Sequence, residues 1–442
     1  MDPAAGQKPG RKKPALITMW QAAFIGLGNI VGAGIFVLAG TVINISGPGA
    51  ILAFALTAVL ATTVALNSAE LSSKVVTHGG LYSFTRVSMG DAPGFIVGWL
   101  RAISYAIAAS AVALGFASYL SSLLRFPAVP VLIPVLAALL VLVVTVLDYA
   151  GLRIVARVEK YLVFITVGGL VIFILSAFLY GSWAPSRFLP LLPFGPASVL
   201  AAASLAFFAY SGFNTIATLT PEVEEGAVNV PRAILIALLV STVLYILVVF
   251  GLLALMPWSE YLVTANPLEN ALDYSNAPSW ISGIIDLVAL VATVAVTMSL
   301  IIAGSRTLLQ MSEDGMFPRW IGGLSRDSPR ISVLLVGAGT VLSLLLGNLK
   351  FIALASNFGV IFSYAMTGGA VIILRRRGMP DPLPGPLPPG DDLPRFRGPL
   401  SRIDLHPHRV RGVRYSPGIR ARRGAGRESM RNGAGWPGVA GS

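Results

Sequence analysis

The groups in this sequence best suited to chemistry are backbone amides and carbonyls rather than side chains. The stretch GLGNIVGAGIF, Gly26 to Phe36, sets four glycines (Gly26, Gly28, Gly32 and Gly34) inside an apolar run. Each glycine costs a helix about 1 kcal/mol relative to alanine, so the run is weakened where a continuous helix would be expected. Unwinding near Gly32–Ala33–Gly34 frees several amides and aims a half-helix N-terminus at the gap, an arrangement suited to a carboxylate. Half a chain later FFAYSGFNT, Phe207 to Thr215, carries a second interruption. There Ser211 and Gly212 free carbonyls that can accept from an ammonium group. One anionic and one cationic end side by side match the backbone of an α-amino acid. Close packing competes with this reading, because Gly28-x-x-x-Gly32 is also a small-xxx-small motif. The glycines are no dinucleotide fingerprint, since neither a preceding strand nor a correctly spaced acidic residue accompanies them.

Side chains add little chemistry. The absence of cysteine removes disulfides and thiolate metal sites. The three histidines, His78, His406 and His408, fall in loops or the tail with no nucleophile–base pattern, which argues against an enzyme. Asp286 is the clearest ionisable group on an apolar segment and is therefore a functional candidate. Its position near one end predicts a solvated vestibule carboxylate. Arg101 is expected to snorkel to the interface. Glu70, Glu222, Glu224 and Glu225 can pair with Lys74, Arg153 or Arg232 as an inner gate, or remain solvated loop charge.

The elements that must position these groups follow from composition. Of 442 residues, 55% are hydrophobic and 12% charged, with a mean hydropathy of +0.77. A soluble globular chain carries about 25% charged residues. Apolar runs of about 20 residues, the length that crosses a bilayer core, recur near 19–44, 50–73, 93–124, 129–148, 158–181, 197–220, 231–256, 280–310, 331–349 and 351–374. This is a polytopic membrane protein. The first run follows Arg11, Lys12 and Lys13 but is long, lacks a cleavage site and precedes further spans, so it reads as retained. Basic residues concentrate in alternate loops, which by the positive-inside rule puts the N-terminus and the tail in the cytoplasm. The formal charge of +12 therefore reports topology rather than nucleic-acid binding. Residues 378–442 hold 11 of the basic and 5 of the acidic residues. The expected layout is an arm at 1–18, one five-helix repeat at 19–181, a second at 197–374 and a basic tail at 375–442. An odd number of spans per half inverts the second half, and interruptions at matching places in two such halves point to a transporter site. The Pro-, Gly- and Arg-rich tail reads as disordered. Its abrupt change of composition after ILRRR also fits a shifted reading frame that replaces two further helices.

Several ordered motifs resemble a known superfamily. GLGNIVGAGIFVLAG, SGPGAILAFALTAVLATTVALNSAELSS, THGGLYSFTRVSMGDAPGFIVGWL, FFAYSGFNTIATLTPEVEEGAVNVPRAI and SRTLLQMSEDGMFPRWIGGLS are similar to the amino acid–polyamine–organocation (APC) transporters over roughly 15–377. The resemblance implies an all-α, five-plus-five inverted-repeat (LeuT-like) fold with discontinuous first and sixth helices. Most members have twelve spans, against ten here. It further implies that Ala33, Gly34 and Ile35, following Gly32, offer amides to the substrate carboxylate, with Asn29 one turn earlier. In the sixth span it implies an aromatic gate at Phe208, beside Ala209. Ser211 and its neighbour Gly212 would receive the amino group, and Asn214 would be a polar coupling position. A packed aromatic at Phe208 and an interhelical hydrogen bond at Asn214 are the competing readings. Some proton-coupled members carry a fifth-span lysine, and the matching position here is Thr166, which weakens that mechanism. Thr166, Thr297 and Ser299 can instead help coordinate sodium, although for any one of them a bond to its own helix is the simpler reading.

The expected function is secondary active transport of amino acids across the cell membrane by alternating access. Cation-coupled uptake or exchange of neutral amino acids is expected, with H+ or Na+ as coupling ion and no other cofactor. The partners are the amino acid and the lipid bilayer. Exchange of polyamines, organic cations or cationic amino acids is the alternative on the same fold, opposed by the lack of a pocket carboxylate. A channel or a non-transporting scaffold is the alternative of another class, and the sequence offers no filter motif for a channel.

Overall fold

The computed structural model describes residues 17–74, 80–126, 129, 131–150, 154–214, 216, 223–318, 320–323 and 329–377. The chain divides into two units, Met1–Pro386 and Leu387–Ser442, and every described residue belongs to the first. The expectations for residues 1–16, the tail from Gly378, His78, Arg153 and Glu222 fall outside the described residues.

Among the described residues the structure is helical, with one isolated parallel bridge between Ile17 and Val223. A capping box starts α1 (Met19–Ile30): Thr18 Oγ1 accepts from the Gln21 amide, and Gln21 Oε1 accepts from the Thr18 amide. After two non-helical residues the chain resumes as α2 (Ala33–Ser46). A Gly47–Gly49 turn, opened by Gly47 at φ 59°, leads directly into α3 (Ala50–Lys74). There follow α4 (Gly80–Met89), α5 (Asp91–Leu123), α6 (Leu132–Tyr149) and α7 (Ile154–Tyr180). The second half holds α8 (Pro196–Tyr210), α9 (Gly226–Leu255), α10 (Pro267–Tyr274), α11 (Ser279–Glu313), α12 (Arg330–Ser343) and α13 (Leu349–Arg376).

Eight helical stretches have the length and apolar character to cross a membrane, two fewer than the ten runs read from the sequence. The difference has two sources. The short turn at Gly47–Gly49 joins the first and second runs into one stretch, Gly34–Leu71, and the apolar helix at Arg330–Leu346 is shorter than the others. Two short helices, α4 and α10, are absent from the hydropathy reading because each is too short and too polar to register as a span.

The packing follows from where large side chains are left outside. On α6, Val135, Leu139, Leu142 and Val146 are each more than half exposed, and on α7 so are Phe164, Leu175, Phe178 and Leu179. A stripe of that kind would be unstable in water and is natural against lipid tails. Inside, α1 packs on α7 and α9, α2 on α8, and α3 on both α8 and α9. Around them α5 packs against α11, α12 and α13. The two halves of the first span are therefore enclosed by helices that can satisfy backbone left unpaired by the interruption.

Candidate functional site

The first interruption lies at Val31–Gly32. Val31 has φ −77° and ψ 67°, and Gly32 has φ −119° and ψ −145°, neither of them helical. The Val31 amide still reaches Leu27 O (2.6 Å), and the Gly32 amide closes a tight turn to Ile30 O (2.8 Å). At the start of α2 no side chain caps the helix from Gly32. The amides of Ala33, Gly34 and Ile35 thus form an uncapped helix N-terminus, the polarity that suits an anion.

The sixth span loses regular α-geometry at a matching place. After Tyr210 the chain tightens into a 3-10 turn at Ser211–Phe213 and continues through Asn214, and residues 217–222 lie outside the described set. Ser211 Oγ donates to Phe208 O (2.9 Å), so its hydroxyl serves its own helix. Phe208 and Ala209 are both buried.

The glycines bring the two spans into contact. A Cβ on Gly34 would fall 2.7 Å from Ala209 Cβ and nearer still to Ala209 Cα, and one on Gly212 would fall 2.8 Å from the Ile30 nitrogen and nearer still to Asn29 O. Gly26 faces Ile216, Gly28 faces Val163 and Gly32 faces Val296 in the same intimate way. Gly34 and Gly212 thus let the two backbones meet without a side chain between them. The fully buried Tyr245 of α9 bridges them, its hydroxyl 2.6 Å from Ile30 O and 3.0 Å from Ala209 O. Tyr119 of α5 donates to Phe36 O (2.6 Å) in the first turn of α2. Neither tyrosine carries a local sequence signal for these roles.

A cleft opens beside the first interruption, lined by Asn29, Val31 and Gly32, by Leu162, Val163 and Thr166 of α7, and by Ala292, Ala295, Val296 and Ser299 of α11. It unites two sets of residues that the sequence suggested separately, Asn29 and Gly32 for substrate and Thr166 and Ser299 for an ion. Thr166 Oγ1 donates to Leu162 O (2.8 Å), and Asn29 Nδ2 donates to Ile25 O (3.2 Å). Thr297 does not line the cleft; it is fully buried and its hydroxyl has no hydrogen-bond partner. No cluster of three or more His, Cys, Asp or Glu residues suited to a metal occurs among the described residues. A cation in this cleft would meet neutral oxygens.

Three charged residues depart from expectation. Arg101 does not snorkel: it is 5% exposed, its Nη2 donates to Tyr105 Oη, and its guanidinium lies 4.4 Å from the Tyr105 ring centroid and 5.8 Å from that of Tyr364. Aromatic neighbours on α5 and α13 take up the guanidinium instead. Asp286 is not a solvated vestibule group either; it is 4% exposed and its Oδ1 has no hydrogen-bond partner. The short helix α10, with buried Glu269, covers that end of α11. Glu70 is held by Arg375 of α13, a partner the sequence did not suggest, with bonds of 3.0 and 2.6 Å. The pairing follows from the ends of α3 and α13 lying together.

Around Asn214 the side chains form one network. Asn214 Nδ2 donates to Tyr364 Oη, Ser68 Oγ donates to Asn214 Oδ1 (3.4 Å), and Tyr364 Oη lies 3.4 Å from Ser211 O. The Tyr364 ring also stacks on Phe213, with centroids 5.6 Å apart. The sixth-span interruption is thereby tied to α3, α13 and, through Tyr364, to Arg101.

Comparison with known proteins agrees with this architecture. The model of a family described as amino acid permease matches residues 17–389. The branched-chain amino acid permease BcaP of Bacillus subtilis is 31% identical, with the match covering 80% of this chain and 79% of that protein. The methylthioribose transporter of the same organism is 30% identical over 85% of each chain. The vacuolar cationic amino acid transporter 4 of Arabidopsis thaliana is 28% identical over 80% of this chain and 62% of its own length. A helical bundle with eight stretches long and apolar enough to cross a membrane is thus matched by a family model over most of its length: the chain belongs to the amino acid permease family of the APC superfamily, whose fold is LeuT-like.

Proposed function

We propose that this permease is a secondary active transporter that moves neutral amino acids by alternating access around its two interrupted spans. The observation that carries the reading is the uncapped N-terminus of α2 packed on Ala209 at the end of α8, with the Ser211–Phe213 turn packed on Asn29 and Ile30 at the end of α1. In this reading the amides of Ala33, Gly34 and Ile35 hold the carboxylate and the carbonyl side of Ser211 and Gly212 receives the ammonium group. Phe208 and Ala209 bound the apolar side, and Asn29 and Asn214 fix the two ends. H+ or Na+ is the coupling ion; the cleft at Thr166 and Ser299 offers neutral oxygens suited to Na+, whose arrival would lock the first interruption against α7 and α11. Thr297 of α11, whose buried hydroxyl has no hydrogen-bond partner, is a third hydroxyl that could serve such an ion. The domain layout is the arm at 1–18, repeats at 19–181 and 197–374, and the tail at 375–442. The basic loop ends face the cytoplasm of a cell whose boundary membrane the protein spans.

Purified protein in proteoliposomes, given a panel of labelled amino acids with sodium and proton gradients imposed separately, tests this reading. Accumulation or counterflow of at least one neutral amino acid is the expected result. If no amino acid moves under either gradient or in counterflow, the proposal is wrong.

A further inference from the structure

Arg101 is charged in every state of the protein, because a guanidinium does not lose its proton in proteins. It is buried, yet among the described residues no carboxylate pairs with it. Its neighbours are two tyrosine rings, Tyr105 and Tyr364, both of which the guanidinium overlies, and its Nη1 has no hydrogen-bond partner. Cation–π contacts compensate part of the lost hydration, but a buried cation without a counter-ion remains costly and marks function in a membrane helix. Its surroundings lead directly to the ligand region. Tyr364 Oη accepts from Asn214 Nδ2, lies 3.4 Å from Ser211 O, and its ring stacks on Phe213. A single aromatic ring therefore separates the guanidinium from the sixth-span interruption.

We infer that Arg101 biases the charge selectivity of this permease: its fixed positive charge behind the sixth-span interruption disfavours amino acids whose side chain carries a positive charge. The zwitterionic backbone of such an amino acid is neutral overall, so the arginine acts chiefly on an added side-chain charge. At a separation of about 10 Å and an effective dielectric constant near 20, that added cation is disfavoured roughly tenfold to twentyfold. This inference rests on the proposed ligand region at the two interruptions, and its test is arranged to separate the two. It assigns to α5 a selectivity role, since the position touches no ligand itself and acts through Tyr364.

The experiment is competition of labelled neutral amino acid counterflow in proteoliposomes by unlabelled isoleucine, lysine and arginine. It compares the unmodified protein with Arg101→Gln, Arg101→Lys and Tyr105→Glu. The unmodified protein is expected to prefer isoleucine over lysine, and Arg101→Gln to narrow that preference by about tenfold. Arg101→Lys keeps the charge and should keep the preference. Tyr105→Glu leaves the arginine and supplies the carboxylate it lacks, so it should narrow the preference even if Arg101→Gln fails to fold. An unmodified protein that accepts lysine as readily as isoleucine overturns the inference while leaving amino acid transport standing. So does an unchanged ratio in the charge-neutralised variants that insert and transport. Absence of any amino acid transport by the unmodified protein overturns the proposed function instead.

Discussion

Replacing Tyr245 by phenylalanine removes one oxygen atom and leaves the packing of the ring intact. That oxygen lies 2.6 Å from Ile30 O and 3.0 Å from Ala209 O, the carbonyls that flank the first and sixth interruptions. The ring keeps its edge contacts with Tyr210 (5.1 Å) and Phe54 (5.8 Å), so the substitution tests the hydroxyl alone. Ile30 O keeps its bond from the Gly32 amide, so the loss is that of one net hydrogen bond, about 0.5–1.5 kcal/mol. If the hydroxyl holds the two interruptions in register for the ligand, that cost should appear as a weaker apparent affinity of roughly 2- to 13-fold. Tyr210→Phe is the matched control. Its hydroxyl makes a longer bond, 3.3 Å to Phe54 O, to a carbonyl in α3 away from both interruptions. That variant should stay within about twofold, since a marginal hydrogen bond contributes less than about 0.5 kcal/mol. Concentration dependence of uptake, read with thermal unfolding in detergent, separates the outcomes. Tyr245→Phe with unchanged apparent affinity and unchanged unfolding temperature would refute the bridging role. A loss of stability with affinity preserved would make Tyr245 structural only.

Glycine substitutions should divide by what surrounds them. Gly34→Ala meets the Ala209 backbone and should lose about 1–3 kcal/mol of stability together with transport. Gly168→Ala and Gly283→Ala, with nothing within 4 Å and helical backbones, should gain about 0.5–1 kcal/mol in the same unfolding measurement. Thr166→Val and Ser299→Ala remove the hydroxyls facing the cleft and should raise the cation concentration needed for half-maximal uptake; unaltered cation dependence in the double variant argues that coupling lies elsewhere. Glu269 on α10 is pushed above the ordinary glutamate range by burial, against the hydrogen bonds from Ser122 and Asn266, with Asp273 adding to the rise and Asp286 and Tyr119 facing it from α11 and α5. Above the ordinary glutamate pKa of 4.5 the unfolded chain releases this proton first, so stability should be highest at acid pH and fall as pH rises through the elevated value. Glu269→Gln should flatten that fall in a pH series of unfolding temperatures, and an equally steep fall in the variant would contradict the assignment.

The two interruptions were legible because glycine in an apolar run is a strong local signal, yet their use was not. GLGNIVGAGIF announces a break near Gly32, and the helix indeed stops at Ile30 and resumes at Ala33. What occupies the space beside each glycine depends on residues far along the chain, Ile216, Val163, Val296 and Ala209, and no local pattern names them. Arg101 fails the snorkelling rule for the same reason. Its position along α5 is local information, whereas Tyr364, which receives its charge, lies 263 positions later. Tyr245 gives the general form of the limit. A broken helix in a membrane leaves carbonyls that something must satisfy, and here Tyr245 of α9 places its hydroxyl at Ile30 O and Ala209 O, beside the two interruptions. Residue types along a span can reveal that backbone has been released. Only the packed bundle reveals which hydroxyl receives it, and therefore which distant tyrosine the interruption cannot do without.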